Sequence, residues 1–206
     1  MGLKKYLFSA ALLVFCSCMG QDRREVKERQ VGGPCEGCEA LYEYGDRLLT
    51  PVDTLPGFEE QGARLQLSGT IFRSDGRTPA GDVILYIYHT NSEGIYPTRG
   101  DETGWGRRHG YLRGWIKTGA DGSYSFYTTR PGSYPSGDTP AHIHVLVKEP
   151  DTKVYYLDDY EFKGNPFVKQ RAQPRGGSGL IDPEQQGDLL VARRDIILGL
   201  NIPDYR

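Results

Sequence analysis

An all-β fold, an antiparallel sandwich of two sheets, is the architecture this sequence predicts. Three observations carry that reading. Short runs of alternating or β-branched and aromatic residues recur along most of the chain, about seven of them, separated by turn signals at regular intervals. The turns are marked by glycine and proline, and Asp121-Gly122 between two such runs is a hairpin signature. The composition fits as well: 27 glycines and 14 tyrosines in 206 residues, with 37% hydrophobic residues, suit a loop-rich β fold better than a helical bundle. This length makes one domain the expectation, with room for a second only if it is small. A net charge of −2 without long like-charge blocks gives no reason to expect nucleic acid as a partner.

The chain opens on a targeting segment. Lys4 and Lys5 precede an apolar run over residues 6–15, long enough for the core of a signal peptide and too short to span a bilayer. Ser17-Cys18 at its end resembles a bacterial lipoprotein cleavage site, with Cys18 as the lipid-bearing residue. The alternative is a plain secretory signal with incidental cysteines. Either way the mature chain is expected outside the cytoplasm, as a periplasmic or cell-surface lipoprotein or a secreted protein. The expected organisation is a signal over residues 1–18, a tether and cysteine-containing segment over 19–62, and the β-sandwich over 63–206.

Residues 19–34 are polar and read as a flexible tether. Cys35 and Cys38 then form a C-x-x-C, which suits a redox pair, half a zinc site or a small disulfide. No second C-x-x-C follows, so one chain cannot supply a four-cysteine zinc site. In an oxidising compartment a structural disulfide is the default. A short helix is expected over residues 40–49.

The strands follow in order. Residues 65–72 alternate apolar and polar, as a half-buried strand does, and Asp75-Gly76 with Pro79 marks the turn after them. Residues 82–89 are more continuously apolar, which suits a central strand. Residues 97–110 are rich in glycine and arginine and read as a loop, with His109 exposed beside Arg107 and Arg108. Residues 112–118 and 123–129 flank the Asp121-Gly122 hairpin. After a strand over 141–147 come shorter runs at 153–157 and 160–162. Residues 171–188 read as loop, and 188–198 as a last strand pair or edge strand that Pro203 closes.

Two of the four histidines fall on one of these strands, one residue apart. Side chains alternate along a strand, so His142 and His144 share a face while Ile143 and Val145 point the other way. Their backbones stand ~7 Å apart by strand rise, and both imidazoles reach one metal ion at bonds of ~2 Å. Such a pair alone is a short pattern and also suits an ordinary pocket. It keeps company, however, with two tyrosines that close turn-rich segments, Tyr96 and Tyr134. His89, near the end of its strand, reads as a satisfied polar neighbour rather than a ligand.

Four motifs occur in sequence: Gly94-Ile95-Tyr96, Asp121-Gly-x-Tyr-x-Phe126, Pro131-Gly-x-Tyr134-Pro135 and Pro140-Ala-His142-x-His144. Their order and spacing resemble the intradiol ring-cleavage dioxygenases, over roughly residues 64–166. The resemblance implies a ferric site, Fe(3+), on Tyr96, Tyr134, His142 and His144. It also implies a small aromatic diol and O2 as substrates, with the ring opened between its two hydroxyl-bearing carbons to a muconate-type diacid. Tyr134 would be the catalytic ligand, leaving the iron and helping to accept a substrate proton. Tyr96 and His142 would stay fixed, and His144 would lie opposite Tyr134.

The donor set makes chemical sense for that ion. A phenol ionises near pH ~10, and a ferric charge supplies the missing stabilisation of the phenolate. Two histidines with one carboxylate would instead suggest ferrous oxygenase chemistry. The chain also departs from the family pattern. Thr139 stands where many members carry arginine, and a glutamine of the following strand is absent, with Asp159 near its place. Arg113 or Arg130 is a candidate to compensate. The pocket-forming N-terminal helices of the catechol enzymes have no obvious counterpart in this sequence, which leaves the substrate open.

A second reading competes. The segments over 69–81 and 120–126 and the Pro-Gly-Ser-Tyr turn also resemble the transthyretin-like modules that space or bind other domains on surface proteins. That resemblance implies the same sandwich without iron, and leaves Tyr96 and the Pro-Ala-His-x-His segment unexplained. A third reading keeps the site but fills it with zinc or copper, without oxygenase activity.

Overall fold

The computed structural model describes Met1 and residues 27–60, 62–168 and 179–206. The strands are β1 (Val52–Thr54), β2 (Arg64–Phe72), β3 (Ile84–His89), β4 (Arg113–Lys117), β5 (Ser123–Thr129), β6 (His142–Lys148), β7 (Tyr155–Tyr156), β8 (Tyr160–Phe162), β9 (Leu180–Ile181), β10 (Glu184–Gln186), β11 (Leu189–Arg193) and β12 (Ile196–Ile197). A short helix α1 spans Gly106–His109, and a 3₁₀ helix spans Cys38–Tyr44.

The strands form two six-stranded sheets. One runs β1-β5-β2-β11-β10, with β12 also on β2; the other runs β4-β3-β6-β8-β9, with β7 also on β6. The central pairs β2/β5, β3/β4 and β3/β6 are antiparallel, and the flanking pairs β1/β5, β11/β2, β12/β2 and β8/β9 are parallel. The predicted sandwich is the observed one. Its core lies between the sheets: Leu65, Leu67 and Ile71 of β2 and Phe126 of β5 face Leu85 and Ile87 of β3 and Ile143, Val145 and Val147 of β6. Period-2 alternation puts these residues on one face of each strand, and their removal from water is the main stabilising term.

The second sheet is covered on its other face too. Tyr86, Tyr88, Trp115 and Leu146 pack there against Ala40 and Leu41 of the 3₁₀ helix. Burial on both faces is why residues 84–89 read as a continuous apolar run. A disulfide joins Cys35 to Cys38, the first residue of that helix.

Three expectations change. The helix expected over 40–49 is a 3₁₀ segment that ends at Tyr44, where Gly45 takes a positive φ of 60°. Within 171–188, which reads as loop, β9 and β10 occur; strands of two or three residues leave no period to detect. The last run is split into β11 and β12, which both pair with β2. Between them the Arg194 carbonyl lies against Gly69 of β2, where a Cβ would collide with it. Among the described residues no helix is long and apolar enough to cross a membrane. The leader segment and Cys18 lie outside the described residues.

Candidate metal centre

The outer face of β6 carries His142 and His144, whose neighbours Ile143 and Val145 go into the core. Loops at the same end deliver the two tyrosines. Tyr96 follows β3 and Tyr134 follows β5, and the two loops interlock through their glycines. The Gly132 amide donates to the Asn91 carbonyl at 2.8 Å. A Cβ on Gly132 would meet the Ser92 carbonyl, and one on Gly94 (φ +78°) would meet the Ser133 carbonyl. Asn91 pins its loop by accepting the amides of Glu93 and Ile95 on its side-chain oxygen, both at 3.0 Å. The two Gly-x-Tyr motifs are thus one packing unit.

Four atoms converge. The Tyr96 and Tyr134 hydroxyls are 2.7 Å apart, and Tyr134 Oη is 3.4 Å from His142 Nε2. His142 Nε2 is 3.1 Å from His144 Nε2, which is 3.0 Å from Tyr96 Oη. The ring closes. Donors held at about 2.0–2.1 Å from one ion, at right to tetrahedral angles, stand roughly 2.8–3.4 Å apart.

The far side of each imidazole decides what the ring can bind. His142 Nδ1 lies 2.7 Å from the Pro140 carbonyl, and His144 Nδ1 lies 3.2 Å from Asp159 Oδ1. Both partners only accept, so both Nδ1 atoms carry the proton. A neutral imidazole then has its lone pair on Nε2. Two lone pairs face each other at 3.1 Å, an arrangement that a cation between them makes favourable. The phenols complete an N2O2 donor set that fits a hard, highly charged ion. Burial and the Tyr134 hydrogen bond push the Tyr96 phenol well above its usual pKa, so it gives up its proton only to such a charge.

The other two histidines are elsewhere. His89 is fully buried between the sheets: its Nδ1–H donates to the Thr90 carbonyl (2.7 Å), and Nε2 accepts from the Thr128 hydroxyl (2.6 Å). It is a satisfied core residue, as its place in the strand suggests. His109 corrects the sequence reading. It is only 6% exposed, closes α1, and stacks on Tyr88 with centroids 3.7 Å apart. Flanking arginines suggested a surface residue, but both point outward while the imidazole turns in. Tyr88 in turn stacks on His144 at 4.5 Å. This aromatic support was legible only as two tyrosines two residues apart on β3. Asp159 was noticed as a substitution, not as the partner of His144, because sequence does not show which loop meets the histidine edge.

Arg113 and Arg130, the expected compensating cations, are engaged elsewhere. Arg113 pairs with Glu43 and packs on Trp115, and Arg130 lies over the Phe162 ring.

A family model described as "Dioxygenase" matches residues 45–181. Catechol 1,2-dioxygenase 1 of Acinetobacter lwoffii is 31% identical over 156 residues, covering 68% of this chain and 47% of that protein. The chain therefore spans about half the length of that relative. The protocatechuate 3,4-dioxygenase beta chain of Burkholderia cepacia is 28% identical over 162 residues, covering 73% of this chain and 66% of its own length. Among solved structures, the dioxygenase domain of a dioxygenase–carbohydrate-binding fusion from Streptomyces sp. SirexAA-E aligns with a TM-score of 0.54 and 26% identity, covering 75% of this chain and 94% of that one.

Proposed function

From the premise that this chain belongs to the intradiol ring-cleavage dioxygenase family, we propose that Tyr96, Tyr134, His142 and His144 hold Fe(III) and that the protein uses O2 to open a catechol-type ring between its hydroxyl-bearing carbons. The observation that carries the proposal is the closed ring of two imidazole Nε2 atoms and two phenol oxygens, with neighbours 2.7 to 3.4 Å apart. When bound, the ferric ion supplies Lewis acidity that lets a diol bind with both hydroxyls deprotonated.

The chain's own residues do the rest. Pro140 and Asp159 fix both imidazole tautomers with Nε2 inward. Tyr134, on the loop after β5, would be the ligand that yields and takes up a substrate proton. Tyr96 is held by its loop and by contact with His144. Both atoms of O2 end in the diacid product, so no external reductant is needed.

We also propose export, in line with the lysine-led apolar segment at the N-terminus and the Cys35–Cys38 disulfide.

The test is ferric loading of the full chain followed by oxygen uptake with a panel of catechols. A wine-red protein that consumes one O2 per ring and yields the ring-opened diacid is expected. Protein that stays colourless and metal-free after loading overturns the proposal in favour of a non-catalytic module. Metal uptake without oxygen consumption leaves only a binding site.

A further inference from the structure

The two histidines of the ring are anchored differently. His142 Nδ1–H is held by a neutral carbonyl, that of Pro140, at 2.7 Å. His144 Nδ1–H is held by a carboxylate, Asp159 Oδ1, at 3.2 Å. Asp159 and the histidine are each about one-quarter exposed or less, at 24% and 21% of their side chains, so solvent screens the pair only in part. Tyr88 covers the His144 ring at 4.5 Å and stops it from turning away. A carboxylate on the outer nitrogen raises the basicity of the inner one, whereas a carbonyl does so far less. Asp159 meets His144 at Nδ1, on the opposite side of the ring from Nε2. It therefore acts through the histidine and is not a fifth member of the donor set, although its oxygen belongs to the same compact cluster of potential ligand atoms.

Resting on the ferric reading above, we propose that Asp159 is a positioning residue that makes His144 the stronger of the two imidazole donors and so biases the site toward Fe(III) over Fe(II). The bias is set in the free protein, before any substrate arrives. It offers this chain a negative charge behind the site where the family pattern has a neutral glutamine.

The experiment compares full-length wild type, Asp159→Asn and Asp159→Ala after ferric loading. Asparagine keeps an acceptor near Nδ1 without the charge; alanine removes both. The one-electron midpoint potential is read anaerobically from the tyrosinate-to-iron band, and ferric affinity by chelator competition. Asp159→Asn is expected to bind ferric iron within about tenfold of wild type. Its preference for Fe(III) over Fe(II) is expected to fall about tenfold, a positive shift of ~59 mV for a one-electron couple. Its band should move to lower energy. Asp159→Ala is expected to lose a further 10- to 100-fold, roughly, in affinity as the ring loses its anchor. A potential and band in Asp159→Asn that coincide with wild type overturn the proposal, whatever alanine does. Should the variants fold poorly, the metal-free wild type decides: imidazole nitrogen resonances must show the proton of His144 on Nδ1, facing Asp159, and a proton on Nε2 instead overturns the proposal. A wild type that takes up no ferric iron overturns the functional reading and this inference together. A red wild type with an unmoved asparagine variant overturns only the role of Asp159.

Discussion

The Tyr88 ring lies face to face on the His109 imidazole, with centroids 3.7 Å apart and planes 8° from parallel. His109 Nδ1 is also 2.8 Å from the Tyr86 hydroxyl. Burial holds the Tyr86 phenol protonated, so Tyr86 donates and the imidazole accepts in its neutral form. The aromatic layer thus ties α1 to the strand beside His144.

Replacing His109 tests that tie. His109→Phe keeps a ring on Tyr88 and loses one hydrogen bond, a cost of about 1 kcal/mol. His109→Ala also opens a cavity in the stack and is expected to cost about 2–4 kcal/mol. Urea midpoints give both values. Because Tyr88 also covers His144, the alanine variant should additionally weaken ferric binding.

How much of this was legible beforehand differs by element. Strands β2 to β6 announce themselves because each exposes a two-residue period or a double-sided apolar run, and Asp121-Gly122 fixes one hairpin. The ligand candidates were readable because His142 and His144 are bound to share a face by strand geometry alone. Tyr96 and Tyr134 were not readable from geometry. Only motif order linked them, since it takes the interlock of Gly94 with Ser133 and of Gly132 with Ser92 to bring two loops together. Burial of His109 escaped the sequence because the Arg107-Arg108 pair dominates a local reading of charge, while the residues that bury it, Tyr86 and Tyr88, lie 20 or more positions away.

That interlock makes a second prediction. In Gly94→Ala the left-handed φ of 78° becomes strained, and the new methyl meets the Ser133 carbonyl. The loops must separate, and Tyr96 and Tyr134 with them. Ferric affinity is expected to fall tenfold or more, roughly, as happens when the support of a metal ligand is removed. Gly100→Ala is the control: its φ is +96°, but its Cβ would meet nothing within 4 Å. It should lower the thermal midpoint slightly and leave metal binding intact.

Acid should weaken the fold through its inward histidines. Burial pushes His89 down to about 4, and burial is also the largest cause that pushes His109 to about 4, both from 6.5. Between these values the unfolded chain binds more protons than the folded one, so stability is complete above pH 6.5 and declines as pH falls toward 4. For the fully buried His89 the loss amounts to ~3 kcal/mol across that window. Urea midpoints measured from pH 7.5 to 4.5 should therefore fall in wild type. In His89→Gln, whose amide still donates to Thr90 and accepts from Thr128, the slope should be markedly shallower. Equal slopes would mean that His89 stays neutral in both states or is already charged in the fold.

Thr139 yields the most direct prediction about rate. It sits one residue before Pro140, on the exposed rim of the segment that carries Tyr134 and His142. The resemblance implies that the family's usual arginine at this place stabilises negative charge developing on the ring; here Arg113 is paired with Glu43, and Arg130 lies over the Phe162 ring. If ring opening is the reaction, the natural chain should turn over catechols slowly. Thr139→Arg should then raise kcat, because a donor aimed at developing charge is worth roughly 2.7–4 kcal/mol, or about 100- to 1,000-fold. Asp159 lies against the same histidine edge and will claim part of the new charge, so an increase nearer tenfold is the expected outcome. The tyrosinate band should stay where it is, since no ligand changes. Stopped-flow turnover with catechol, read beside the ferric spectrum, separates the two possibilities: a faster enzyme with an unchanged band supports charge stabilisation at the ring, whereas an unchanged rate means that an arginine at position 139 does not stabilise charge on this chain's substrate.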